Sequence, residues 1–124
     1  MSKRGEGWGA GSRYNRMYNV NTVETIIGEV VSVGKITPVK GMSYGIHLLV
    51  KNGKETISVH LGPSWFMDNQ KIKINPKDTL TFTGSRITYN GIPAVIASEI
   101  AKEDVTLTLR DKNGYPVWSG SKRK

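Results

Sequence analysis

Residues 44–61 read YGIHLLVKNGKETISVHL, and their alternation decides the fold. Asn52-Gly53 marks a tight turn between two apolar, β-branched runs, because Asn and Gly tolerate the positive φ of a type I′ hairpin turn. A two-residue Asn52-Gly53 turn pairs Lys51 with Lys54, Leu49 with Thr56 and His47 with Ser58. Period two then places Ile46, Leu48, Val50, Ile57, Val59 and Leu61 on one face, which is the expected core. The other face carries His47, Leu49, Thr56, Ser58 and His60 and is expected to be largely wet.

Working outward, Asn90-Gly91 and Asn113-Gly114 repeat the same turn signal. Strands are expected at 23–36, 44–50, 55–61, 79–89, 92–101, 105–110 and 115–118. Ile87 and Tyr89 share parity with neither Leu80 nor Phe82, so a one-residue bulge is expected near Gly84-Ser85, bringing all four to one side. Gly28 is the corresponding candidate in the long first strand. Residues 63–74 hold the one short helix, with Ser64 as N-cap and Asn75-Pro76 as stop. Bent strand, hairpin, helical connector and hairpin give an all-β chain. It is read as a five-stranded OB-fold barrel with an additional C-terminal β-hairpin and a short helical connector between strands 3 and 4. Trp65, Phe66 and Phe82 are read as core or barrel-plug residues, and Trp118 as a cap or a partner contact.

The chain of 124 residues fits one domain. Zero cysteine excludes disulfides, thiolate metal sites, a cysteine nucleophile and thioether-attached haem. No apolar run approaches the ~18 residues of a membrane span. No signal peptide is visible, so localisation is open: cytoplasmic as the sequence stands, periplasmic or secreted if a leader has been removed.

The net charge of +8 sits mainly in two tails. Residues 1–19 are read as a flexible basic Gly/aromatic tail, 20–120 as the domain and 121–124 as a basic tail. Lys3, Arg4, Arg13 and Arg16 interleave with Trp8, Tyr14 and Tyr18, a pattern that stacks on bases and neutralises phosphates. The same residues equally suit docking onto the domain or onto a partner protein. Lys122, Arg123 and Lys124 add charge, and the OB loops contribute Lys35, Lys40, Arg86 and Tyr89. The hairpin's outer face offers no Phe, Tyr or Trp to stack on.

The segments GEVVSVGKITPVKGMSYGIHLLVK, VHLGPSWF and TLTFTGSRITYNGIPAVIASEI resemble a family of small bacterial OB-fold proteins. The resemblance runs from Val23 to Trp118, with His60-Leu61-Gly62-Pro63 and LRDKNGYPVW as its most specific parts. Members are often exported and commonly labelled nucleic-acid-binding from fold alone. The resemblance implies a binding module and supplies no catalytic residue set.

His47 and His60, the only histidines, share a face as expected diagonal neighbours. Such a pair is a candidate for copper, zinc or nickel, or for an axial ligand to haem, with Met42 or Met67 as a third donor. The ordinary alternative is two surface histidines satisfied by Thr56, Ser58 or water. Enzyme chemistry is not expected: Ser58 beside His60 is not aimed as a nucleophile–base pair, and no phosphate-loop glycine spacing occurs. The leading expectation is therefore a non-catalytic module binding single-stranded nucleic acid with little sequence preference. The alternative is an exported accessory or structural protein docking a partner, such as a redox or metalloprotein.

Overall fold

Alternating apolar residues produce six strands among the described residues, two of the hairpins turning at the Asn-Gly signals near 53 and 91. The computed structural model describes Trp8, Gly9 and residues 12–118. The strands are β1 (Val23–Ile36), β2 (Gly45–Asn52), β3 (Glu55–Pro63), β4 (Thr79–Tyr89), β5 (Ile92–Lys102) and β6 (Val105–Thr108). One short helix, α1 (Ser64–Met67), follows β3. The sheet order is β3-β2-β1-β4-β5-β6, and a parallel β3–β5 pairing closes the first five strands into a barrel. This is the strand order expected of an OB-type barrel, with β6 outside it. Among the described residues no helix is long and apolar enough to cross a membrane.

The inner faces of β2 and β3 supply Leu48, Val50, Ile57, Val59 and Leu61, all fully buried. They pack with Val30, Leu80, Phe82, Val95, Ile100 and Leu109 into one core. Each such side chain contributes roughly 1.5–3 kcal/mol of burial free energy. Phe66 and Trp118 pack against its rim, with ring centroids 5.1 Å apart.

Several expectations need correction. The first hairpin turns on Gly53-Lys54 rather than Asn52-Gly53, because Asn52 pairs with Glu55. Gly53 has φ of +63°, the first central position at which a type II′ turn takes glycine. The register moves by two, so both faces are unchanged, but His47 now lies directly opposite His60. Asn90 (φ +53°) and Gly91 (φ +81°) do form the expected turn with positive φ at both positions.

The bulge on the β4–β5 ladder falls at the expected height but on the other strand. Thr83 pairs with Glu99 and Gly84 with Ala97, leaving Ser98 of β5 as the extra residue. Alternation in β4 is therefore unbroken: Leu80 and Phe82 enter the inner core, while Ile87 packs in a second cluster. Gly28 is not a bulge. The extra residue of β1 is Val31, and Gly28 instead lets β1 approach Val50 and Lys51 closely.

The connector is helical only over Ser64–Met67, with Pro63 rather than Ser64 as its cap residue. The third hairpin is reduced to β6 and an isolated Arg110–Pro116 bridge. The stretch expected to be a flexible tail is packed where it is described: Trp8, Tyr14 and Asn15 are buried, and Asn15–Met17 forms a 3-10 turn. Burial of two large aromatics offsets the ordering cost of that segment.

Candidate functional site: an aromatic clasp over a buried histidine

The outer face of β3 and β5 presents His60 and Ile96, which are paired in the parallel ladder. Trp8 and residues 12–19 lie across this face. Trp8 and Tyr14, each 1% exposed, join Met42 and Ile96 in a second cluster outside the barrel. Met17, Tyr18, Val39, Ile87 and Trp118 pack around it.

Glycines give the aromatic rings their seats. A Cβ on Gly45 would collide with the Trp8 ring, and one on Gly62 would stand 2.9 Å from Trp118. Trp8 Nε1 donates to the Ser43 carbonyl at 2.7 Å, and Trp118 Nε1 donates to the Trp8 carbonyl at 2.9 Å. The two ends of the described chain are thereby tied to each other over the end of the β2–β3 hairpin.

His60 is fully buried beneath this clasp. Its Nδ1 lies 2.9 Å from the Tyr14 hydroxyl, and Tyr89 meets its ring edge-on at 5.1 Å. Among the described residues its Nε2 has no hydrogen-bond partner. Burial lowers its pKa to about 4, with the charges of His47 and Arg110 adding to the effect. Burial likewise raises the Tyr14 pKa. Both groups are neutral at pH 7. The expectation of a wet face fails at Ser58 and His60, because the clasp and the β3–β5 closure cover them.

The two histidines share a face, as expected, with ring centroids 6.3 Å apart. His47 turns Nδ1 toward Ser58 Oγ on β3, at 2.9 Å. Its Nε2 edge faces Gly34 on β1, where a Cβ would stand 3.4 Å away. The His47 Nε2 thus points away from His60, and a shared ion would require the ring to turn. Met42 belongs to the outer cluster, with the His60 neighbours Tyr14 and Ile96, and Met67 packs against the inner core, on the other side of the sheet. Among the described residues no group of three or more His, Cys, Asp or Glu is placed to hold a metal ion. Ser58 pairs with His47 rather than His60, and it is itself buried.

Arg110 is the residue that sequence reasoning missed. It is 3% exposed, and its Nε and Nη2 both donate to Asn15 Oδ1 at 3.3 Å while Nη1 donates to the Ala97 carbonyl at 3.2 Å. Its guanidinium lies 5.1 Å over Trp118 and 6.0 Å over Tyr18. Burial lowers its pKa, and among the described residues no carboxylate pairs with it. The only available signal was its place inside LRDKNGYPVW.

The residues expected to bind nucleic acid scatter. Trp8 and Tyr14, expected to stack on bases, are buried in the clasp. Tyr89 packs against His60, Arg86 is ion-paired with Glu24 and Glu55, and the Lys35 ammonium sits 4.5 Å over the Tyr44 ring. Arg13, Arg16 and Lys40 are exposed. Lys3, Arg4, Lys122, Arg123 and Lys124 lie outside the described residues.

A search of curated proteins finds no match to the chain. A family comparison does. The model of the MamS/MamX magnetosome protein family matches residues 22–107. That span runs from the start of β1 through most of β6 and leaves out the segment that carries Trp8 and Tyr14. The match covers well over half of the sequence, and the chain belongs to the MamS/MamX magnetosome protein family.

Proposed function

We propose that the chain is a non-catalytic accessory module of the magnetosome that docks a partner protein. The observation that carries this reading is the fate of its aromatics. Single-strand binders combine a basic groove with exposed rings on which bases stack, and the rings that interleave with the N-terminal arginines, Trp8 and Tyr14, are spent on the protein's own packing. Family membership supports an accessory role and lends nothing to nucleic acid. In this reading the clasp is structural: it completes a rigid scaffold whose remaining surface engages the partner. The chain works without a catalytic residue set, and the His47–His60 pair serves the scaffold rather than a cofactor.

The test is proximity labelling in a magnetosome-forming bacterium, with a biotin ligase fused to the chain. Reproducible labelling of magnetosome proteins supports the reading. Labelling dominated by nucleoid or ribosomal proteins overturns it in favour of nucleic acid.

A further inference from the structure

One groove on the surface combines exposed cations with apolar lining residues. It has a volume of about 350 Å³ and lies between Ser12, Arg13 and Tyr14 on one side and Val39, Lys40 and Met42 on the other. Both walls come from acid-free stretches: no Asp or Glu occurs between Glu6 and Glu24, or between Glu29 and Glu55. Arg13 and Lys40 are exposed, and among the described residues neither has a carboxylate partner.

Both cations are held by tight local structure. Ser12 Oγ accepts from the Asn15 N–H at 3.0 Å, and the adjacent Tyr14 is anchored in the clasp. Lys40 precedes Gly41 in a turn closed by Met42 N–H to the Val39 carbonyl, and Gly41 has φ of +96°. That is the third turn position, where a type II turn demands positive φ. The charges are therefore carried on a backbone fixed before any ligand arrives, which reduces the ordering cost of binding.

We propose that this groove binds an acidic, extended segment of a partner protein, in which Asp or Glu alternates with apolar residues. Period-two alternation directs carboxylates to Arg13 and Lys40 at the rim and apolar side chains to Val39 and Met42 below. The proposal rests on the reading of the chain as a docking module and names the chemistry of what docks. Charge complementarity selects an acidic occupant. The apolar lining, and the absence of an exposed aromatic ring among the described residues that line the groove, favour a peptide over a nucleic-acid strand.

The test uses the full chain and three fluorescein-labelled probes. These are a dodecapeptide alternating Glu with Leu or Val, the same peptide with Gln for Glu, and an oligothymidylate of equal length. The Glu peptide is expected to bind, more weakly as salt rises from about 50 to 300 mM. Arg13→Glu/Lys40→Glu is expected to weaken it about tenfold. Lys71→Glu/Lys112→Glu, which changes net charge equally at exposed positions elsewhere, is expected to cost less than about twofold. Equal binding of the Gln peptide, equal losses in both double variants, or tighter binding of the oligothymidylate overturns the proposal. So does failure of the Glu peptide to bind; if magnetosome proteins are still labelled in the cell, the docking reading stands and only this groove is excluded.

Discussion

The Tyr14 hydroxyl lies 2.9 Å from His60 Nδ1, and the two rings stack with an interplanar angle of 21°. This pair joins the segment crossing the barrel to strand β3 inside a site closed to water. Tyr14→Phe keeps the ring but leaves both imidazole nitrogens without a hydrogen-bond partner among the described residues. The expected loss is about 1–3 kcal/mol of unfolding free energy, read as a lower urea midpoint at unchanged slope. Tyr14→Ala also opens a cavity and is expected to cost about 3–5 kcal/mol. An unchanged midpoint for Tyr14→Phe contradicts the hydrogen bond.

The same burial makes stability depend on pH. His60 has its pKa lowered from 6.5 to about 4 in the folded protein. As pH falls through 6.5 the unfolded chain takes up a proton that the folded chain refuses until about pH 4. Stability therefore declines across that window and levels off below it, by an amount on the order of 3 kcal/mol. His47, also lowered by burial, adds in the same direction. His60→Gln removes the largest contribution, so its urea midpoint should fall much less than wild type between pH 7 and about pH 4.5. Parallel declines in the two proteins contradict a buried, neutral His60.

The barrel was legible in the sequence because two faces of a β-hairpin differ in polarity and turns are marked by glycine. Leu48, Val50, Ile57, Val59 and Leu61 follow from alternation alone, and a two-residue error in register does not disturb them. The clasp was not legible. Trp8, Tyr14 and Arg110 lie on non-repetitive segments whose burial depends on contacts across most of the chain, as in the Trp118–Trp8 hydrogen bond. A lone arginine in a polar turn motif carries no local sign that its guanidinium is buried. The bulge at Ser98 was misplaced for a related reason. A slip between two strands shows in the sequence of both, and glycine at position 84 drew it to the wrong one; Gly84 is small because the backbone of Ile96 and Ala97 presses against it.

Glycine seats can be tested as pairs. Gly62→Ala places a methyl group against the Trp118 ring, with no other side chain or backbone among its nearest contacts. The expected cost is about 1–3 kcal/mol in the wild-type background. In a Trp118→Ala background the ring that the methyl meets is gone, and the cost should fall to within about 0.5 kcal/mol of zero. A cost that persists without the indole locates the strain in the backbone instead.

Arg110 is held by the fork geometry of its guanidinium. Arg110→Lys retains charge but cannot reach both Asn15 Oδ1 and the Ala97 carbonyl with the same set of donors. A loss of about 2–4 kcal/mol is expected in urea denaturation, because a buried ammonium is left under-satisfied. The clasp should loosen with it, giving faster amide exchange at Tyr14 and Asn15 than in β2 and β3. A Lys variant as stable as wild type contradicts a structural role for the guanidinium.

The claim that this scaffold docks a protein through the rim of its clasp is tested most directly by site-specific photo-crosslinking in a magnetosome-forming bacterium. A photoreactive amino acid is placed at Lys40, at the groove, and separately at Lys71, on an exposed loop elsewhere. The account predicts a discrete protein adduct from position 40, abolished by Arg13→Glu and absent from position 71. Nuclease-sensitive adducts from position 40, or the same protein adducts from both positions, contradict it.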